Sequence, residues 1–264
     1  MGYERLSLND ASMVASYAEH IQRYEFALPY CRGKRVMDAG CGTGYGSHFL
    51  AADGAKSVLA VDISDVALTE ARQRYKADGL SYERRDVESL GDDPALTGKF
   101  ETIVNFENLE HLHKPAELVK GASRLLTKEG VFITSTPNGA ITSKDAGGKP
   151  TNIFHVKEFT AEELASLLLP HFRFEMYGQW LTNDGMLRQV RARELFEQLC
   201  EAYYNPLSRL GRMIKRLLGK KVLAPPKYSG AADSFSGDYV ILPLQTKAFQ
   251  WPPTVLIAVC TKQG

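Results

Sequence analysis

Between Lys34 and Thr136, short apolar, β-branched runs alternate with stretches in which apolar residues recur every three or four positions. Strands buried on both faces read as continuous Val, Ile and Leu, and the helices that cover them show one apolar stripe each. The alternation therefore predicts an α/β fold with a mostly parallel sheet between helices. The expected strands are Arg35–Ala39, Ser57–Asp62, Leu80–Arg84, Glu101–Asn105 and Val131–Ser135. Ser64 stands where a cap is needed for a helix whose stripe is Ala67, Leu68 and Ala71, and Pro115 suits the first turn of another helix running to about Leu126. A leading helix is expected from about Ser12 to Tyr30. After the fifth strand, Pro137–Asn152 is rich in Gly, Lys, Ser and Thr without an apolar period, and reads as a long functional loop. Thr160 and Glu163 have capping-box spacing, and Phe172–Tyr177 and Thr254–Cys260 complete a seven-stranded sheet. Two helices, near Arg188–Tyr203 and Leu207–Leu218, form an insertion before the last strand. The organisation expected is a helical cap over residues 1–30, a Rossmann-like domain over 31–181 and 238–264, and a helical insertion or lid over 182–237.

A chain of 264 residues, 44% hydrophobic and 24% charged, suits one elaborated globular domain. Its net charge of +1, from 32 Lys and Arg against 31 Asp and Glu, excludes a uniformly basic nucleic-acid binder. The sum conceals a local excess: Met186–Lys227 holds ten basic residues against Glu194, Glu197 and Glu201. Within it Arg212, Lys215 and Arg216 alternate with Met213, Ile214, Leu217 and Leu218, which leaves a solvated face, an anionic acceptor or an anionic membrane surface open. Nucleic acid is not favoured, because no aromatic-rich basic stripe occurs outside that segment. Cys31, Cys41, Cys200 and Cys260 are scattered and read as buried thiols of a reducing compartment. With neither a spanning apolar window nor a signal-peptide order at the start, a cytoplasmic protein is expected, with peripheral attachment to the inner membrane face as the variant the insertion allows.

Asp38-Ala-Gly40-Cys-Gly42-Thr-Gly44-Tyr-Gly46 directly follows the first expected strand and opens a helix. Glycines permit a tight turn and a close ligand approach, while free N–H groups at the helix start favour an anionic group. The dinucleotide fingerprint is not met when read from Gly40, because Tyr45 breaks the spacing. Asp38 instead offers a carboxylate to a cation, and Asp62 ends the second strand where an acid can accept ribose hydroxyls. A cationic head joined to a ribose points to S-adenosylmethionine.

At these residues the chain resembles the class I S-adenosylmethionine-dependent methyltransferases, and the likeness extends over most of residues 20–180. The resemblance implies that Asp38, Gly40, Gly42, Gly44 and Tyr45 border the methionine part of the cofactor, Asp62 binds its ribose and Ile63 lies against adenine. It further implies that Asp86 sits near the exocyclic amine, Val87 near the ring, and Asn105 and Phe106 at the methyl-donor site. The leading helix, His20 to Ala27, is similar to that of methyltransferases of bacterial polysaccharide and O-antigen assembly, where Arg23 would meet the cofactor carboxylate and Tyr24 would cover it; a surface Arg on a capping helix is the alternative.

Methyl transfer to a hydroxyl needs alignment and a base or a metal. Glu107, Glu110 and His111 have the spacing of one helical face after the fourth strand, and His155 follows at the end of the long loop. Two carboxylates and two imidazoles suit Mg²⁺ or Mn²⁺. Glu-x-x-Glu-His with a later His resembles the metal site of small-RNA 2′-O-methyltransferases, and Glu-x-x-Glu-His also occurs in ubiquinone-type O-methyltransferases. His111 as base without metal, and purely structural roles, are the competing readings. The expected activity is O-methylation of a sugar, a sugar phosphate or a lipid-linked glycan. A small phenol or amine acceptor and a noncatalytic cofactor-binding module are the alternatives.

Overall fold

The structure, a computed structural model, describes residues 13–145, 147–182, 239–246 and 249–263. In chain order the elements are α1 (Met13–Cys31), β1 (Arg35–Ala39), α2 (Tyr45–Ala52), β2 (Ser57–Asp62), α3 (Asp65–Arg74), β3 (Leu80–Arg84), β4 (Phe100–Phe106), α4 (Pro115–Leu125), β5 (Leu126–Pro137), α5 (Ala161–Leu168), β6 (Phe172–Leu181), β7 (Tyr239–Pro243) and β8 (Val255–Lys262). Short 3-10 turns lie at Leu90–Asp92 and Leu109–His111.

The sheet runs in the order β3-β2-β1-β4-β5-β8-β6-β7. Strands β1 to β5 pair in parallel, and β8 runs antiparallel between β5 and β6. The expected Rossmann-like sheet is thus present with eight strands instead of seven. The added strand, β7, is five residues long, half-buried along most of its length and closed by Pro243, so it carries little of the apolar periodicity that marks an interior strand. Strand order reverses between β1 and β4, and the crevice beyond the carboxyl ends of strands at such a reversal is where an open α/β sheet binds ligands.

Two apolar layers cover the sheet. Leu118, Val119, Ala122 and Leu125 of α4 pack with Leu164 and Leu168 of α5 against Met37, Ile103 and Phe132. On the other side Ala27, Leu28 and Cys31 of α1 and Leu50 of α2 meet Val36, Val104 and Ile133. The local signals act as expected. The Ser64 hydroxyl accepts from the Ala67 N–H at the start of α3, and Thr160 and Glu163 form a reciprocal capping box at the start of α5.

The described chain divides into two units. The described residues from Glu19 to Trp180 and from Ile241 onward fall in the first, which holds the sheet core; the described residues 13–18, 181–182 and 239–240 fall in the second. The two helices expected near Arg188–Tyr203 and Leu207–Leu218, and the basic cluster among them, lie outside the described residues. Among the described residues no helix is long and apolar enough to cross a membrane.

Candidate functional site

The turn after β1 follows from its glycines. Gly40 and Cys41 donate their N–H groups to the Val61 carbonyl at 2.8 and 3.0 Å, which folds the loop over the end of β2. Gly44 caps α2 in the left-handed conformation with φ of 85°, a region closed to most side chains. Gly46 is required by close approach, since a Cβ there would fall 1.9 Å from the Tyr24 ring. Asp62 locks the loop from below: Oδ2 accepts the Gly42 N–H at 2.9 Å and Oδ1 the Ser64 N–H at 2.8 Å. The space where a Gly42 side chain would stand is open, so a ligand can reach that backbone.

Asp38 is fully buried. Ser47 Oγ donates to its Oδ2 at 2.6 Å and the Tyr24 hydroxyl at 3.2 Å. Burial raises its pKa to about 6, against the pull of those hydrogen bonds. Burial and the nearby Asp38 push the Tyr24 phenol well above its ordinary value, so Tyr24 remains a donor. Where the resemblance puts adenine, Ile63 is half exposed at the end of β2 and the Arg85 N–H donates to the Asp62 carbonyl. Asp86 is exposed and accepts the Glu88 N–H at 2.9 Å, while Val87 is buried beside it.

Arg23 lies wholly inside the protein rather than on the surface. Its Nη1 donates to Gln179 Oε1 at 2.6 Å and stands 3.6 Å from Glu19, but Nε and Nη2 find no hydrogen-bond partner among the described residues. Burial opposes the guanidinium charge, and the carboxylates of Glu107 and Glu19 outweigh burial to hold its pKa above the usual value. Two orphaned buried donors on a cation fit a carboxylate ligand, the group carried by the methionine part of S-adenosylmethionine. Beside it, burial lowers the His20 pKa well below the imidazole range, and its Nδ1 is hydrogen-bonded with the Tyr45 hydroxyl at 2.8 Å. Gln179, which anchors Arg23, was invisible to pattern reading: it is one polar residue in an otherwise ordinary strand.

The segment after β4 departs from expectation. Glu107, Glu110 and His111 do not share a helical face. Glu107 takes φ of 48°, uncommon for a residue with a side chain, and Leu109–His111 forms a single 3-10 turn. Glu107 turns instead to Ser135, whose Oγ donates to its Oε1 at 2.8 Å. Glu110 is buried, accepts from Thr136 Oγ1 at 3.0 Å, and is driven well above the carboxylate range by burial and by Glu107. Asn105 also differs: its Nδ2 donates to the Ala39 carbonyl at 2.6 Å and its Oδ1 accepts from Thr134 Oγ1 at 3.2 Å. It therefore stitches β1, β4 and β5 together and does not turn its amide toward a methyl donor. Phe106 packs edge-on against Tyr24 with ring centroids 5.0 Å apart.

His111 Nδ1 lies 2.9 Å from the Phe154 carbonyl, a group that can only accept, so Nδ1 carries a proton and the lone pair of the neutral ring falls on Nε2. The His155 ring stands 5.0 Å from that of His111; its Nδ1 pairs with Glu158 at 2.6 Å and its Nε2 faces Asn152 Nδ2 at 3.0 Å. Ligand atoms of Glu110, His111 and His155 lie within 4.8 Å of one another. Of the four expected metal ligands the structure therefore brings together three. The mixed nitrogen and oxygen donors suit a divalent ion, with Glu107 not among them.

Residues 31–183 match the family model described as a methyltransferase domain. A probable S-adenosylmethionine-dependent methyltransferase of Mycobacterium tuberculosis is 34% identical over 177 residues, covering 67% of this chain and 62% of that protein. A ubiquinone biosynthesis O-methyltransferase of Thiobacillus denitrificans is 29% identical over 182 residues, covering 69% of this chain and 73% of that protein. In three dimensions, an S-adenosylmethionine-dependent methyltransferase from Mesorhizobium loti superposes with a TM-score of 0.58 at 19% identity, covering 94% of this chain and 100% of the other.

Proposed function

The chain belongs to the class I S-adenosylmethionine-dependent methyltransferases, and from that premise we propose that it methylates an oxygen, the hydroxyl or phosphate of a sugar, a glycan or a related metabolite. The observation that carries the reading is the tautomer of His111. With Nδ1–H held by the Phe154 carbonyl, Nε2 presents a lone pair at the carboxyl end of β4, beside the strand-order reversal. S-adenosylmethionine supplies an electrophilic methyl on a sulfonium. The protein's part is to bind the donor, align the acceptor oxygen and take its proton.

Each task has named groups. Asp62 and the Gly40–Gly44 loop offer the ribose and methionine subsites, with Ile63 and Val87 at the adenine edge. Arg23 Nε and Nη2 receive the carboxylate. Asp38, ionised above pH about 6, supplies negative charge near the ammonium. His111 Nε2 would accept the hydroxyl proton as the acceptor oxygen bonds the methyl carbon and the methyl–sulfur bond breaks, its electron pair staying on sulfur, and the Phe154 carbonyl keeps the imidazole oriented while it is charged.

The curated relatives named as ubiquinone O-methyltransferases support oxygen as the acceptor atom. The leading helix with Arg23 and Tyr24 supports the glycan class, and a phenol or amine metabolite is the competing acceptor. A metal-assisted variant is favoured by one observation, the cluster of Glu110, His111 and His155. A divalent ion there would lower the pKa of a bound hydroxyl, and His111 would then be a ligand and not the base. The basic segment Met186–Lys227 would serve an anionic acceptor or membrane surface, with the protein in the cytoplasm or at the inner membrane face.

The deciding experiment is a screen for methyl transfer over glycan, sugar phosphate, phenol and RNA acceptors, run with and without chelator. Turnover on carbohydrate confirms the reading and turnover on phenols alone replaces the acceptor. Chelator-insensitive turnover removes the metal. Cofactor binding without turnover on any class would leave a noncatalytic binding module.

A further inference from the structure

The loop after β5 presents apolar side chains to solvent beside the catalytic turn. Ile153 is 87% exposed, and Ile141, Phe154 and Val156 are each more than a third exposed. Leaving such side chains in water forfeits burial energy, and a cluster of them next to a reaction centre marks a binding surface. The loop is held in shape by its own backbone. The Thr151 N–H donates to the Ser143 carbonyl at 3.1 Å and the Asp145 N–H to the Lys149 carbonyl at 2.8 Å, while Lys144 and Pro150 bridge the two legs. Ile141 and Ile153 each stand two residues beyond the paired Ser143 and Thr151.

The same segment is bonded into the catalytic turn. The Glu110 carbonyl accepts the N–H groups of Val156 at 2.7 Å and Lys157 at 3.2 Å, and the Phe154 carbonyl holds His111. One stretch of five residues thus orients the base with its backbone and offers apolar side chains outward. We propose that these side chains seat an apolar arm of the methyl acceptor, which is therefore amphipathic: a hydroxyl-bearing head at His111 Nε2 and an alkyl, prenyl or aryl arm along Ile141, Ile153, Phe154 and Val156. The inference rests on the methyltransferase reading and narrows its acceptor class. Continuity with the base singles out the acceptor as occupant, since a membrane or another protein has no need of a surface bonded to the catalytic turn.

The test uses the full chain and n-alkyl β-D-glucosides of graded length, from methyl to octyl, kept below their micelle-forming concentrations. Binding is measured by calorimetry in the presence of S-adenosylhomocysteine. Affinity is expected to rise at least about tenfold from methyl to octyl. Ile153→Ser with Val156→Ser should erase most of that rise while leaving S-adenosylhomocysteine affinity unchanged. Equal affinity along the series, or a rise that survives the double variant, overturns the proposal. Chain-length-independent glucoside binding combined with variant-sensitive binding to phosphatidylglycerol vesicles would assign the patch to a membrane and also overturn it. So would a lower melting temperature in the double variant without a chain-length effect, which would assign the patch to packing within the chain. Absence of S-adenosylhomocysteine binding to the unmodified protein is a separate result, and it would sink the methyltransferase reading itself.

Discussion

Asp62 and Glu107 are both acids at the carboxyl ends of the parallel strands that flank β1, yet their surroundings are opposite. Asp62 accepts two backbone N–H groups, one from Gly42 of the glycine turn and one from Ser64 at the start of α3. Glu107 sits at positive φ, anchored by Ser135, within reach of a buried guanidinium that keeps two donors unused. The β1–β2 end is a finished cradle that a ligand only enters. The residue after β4 is held in an uncommon backbone conformation, and Arg23 of α1 keeps two buried donors unused, features that persist where surrounding packing over-determines them and that concentrate at functional sites. The contrast teaches that the turn bound by Asp62 is complete as folded, whereas Arg23 retains donors that only a bound group would satisfy.

The sharpest way to break that contrast is His111→Ala. Loss of a general base is expected to lower turnover by about 100- to 10,000-fold while S-adenosylhomocysteine affinity stays within about twofold. Steady-state methyl transfer paired with calorimetry checks it, and unchanged turnover removes His111 from the chemistry. Next in size is Arg23→Ala. Charge-assisted hydrogen bonds to the carboxylate make its loss worth about 10- to 100-fold in S-adenosylhomocysteine affinity. Binding of 5′-methylthioadenosine, which lacks the carboxylate, should not change. If both ligands weaken equally, Arg23 is structural.

Gly46→Ala probes the finished cradle, where the new methyl must displace the Tyr24 ring. Overpacking of this kind costs about 1–3 kcal/mol, read as a drop in melting temperature. A tolerated alanine would show that α1 is less firmly seated than its contacts imply. The smallest effect is a pH slope. Folded Asp38 keeps its proton up to about pH 6, whereas an unfolded chain releases it near pH ~3.9. The folded state therefore binds more protons through that window, and Asp38 lowers stability as pH rises from about 4 to above 6. S-adenosylmethionine affinity should rise over the same range as the carboxylate ionises. Buried Glu19 and Glu110 shift in the same direction, so the measurement is the difference between the unmodified protein and Asp38→Asn. Parallel melting curves for the two across pH 5 to 7 would remove Asp38 as the source.

The same contrast governs how far the sequence was legible. Five parallel strands, the Ser64 cap and the Thr160 capping box were readable because each rests on local periodicity or on side chains a few residues apart. The glycine turn was readable for the same reason. At the other end, a helical face was expected for Glu107, Glu110 and His111, and tertiary hydrogen bonds to Ser135 and Thr136 overrode the spacing. Asn105 matched a strand-end position by resemblance, but its partners Ala39 and Thr134 belong to two other strands. Gln179 meets Arg23 from 156 positions away, a distance no local signal spans. Strand β7 escaped because a short edge strand need not bury either face.

The amide of Asn105 has one more consequence. By tying the tips of β1 and β5 to β4 with hydrogen bonds buried from solvent, it acts as a fixed ruler between the glycine turn and His111. Strand tips pinned in this way cannot spread to admit a bulkier acceptor. Any adjustment to acceptor size must then fall on the chain beyond the strands, where Pro137–Asn152 and α1 have backbone to spare. A variant bred for a new acceptor should accumulate its changes there and leave the three strand tips alone.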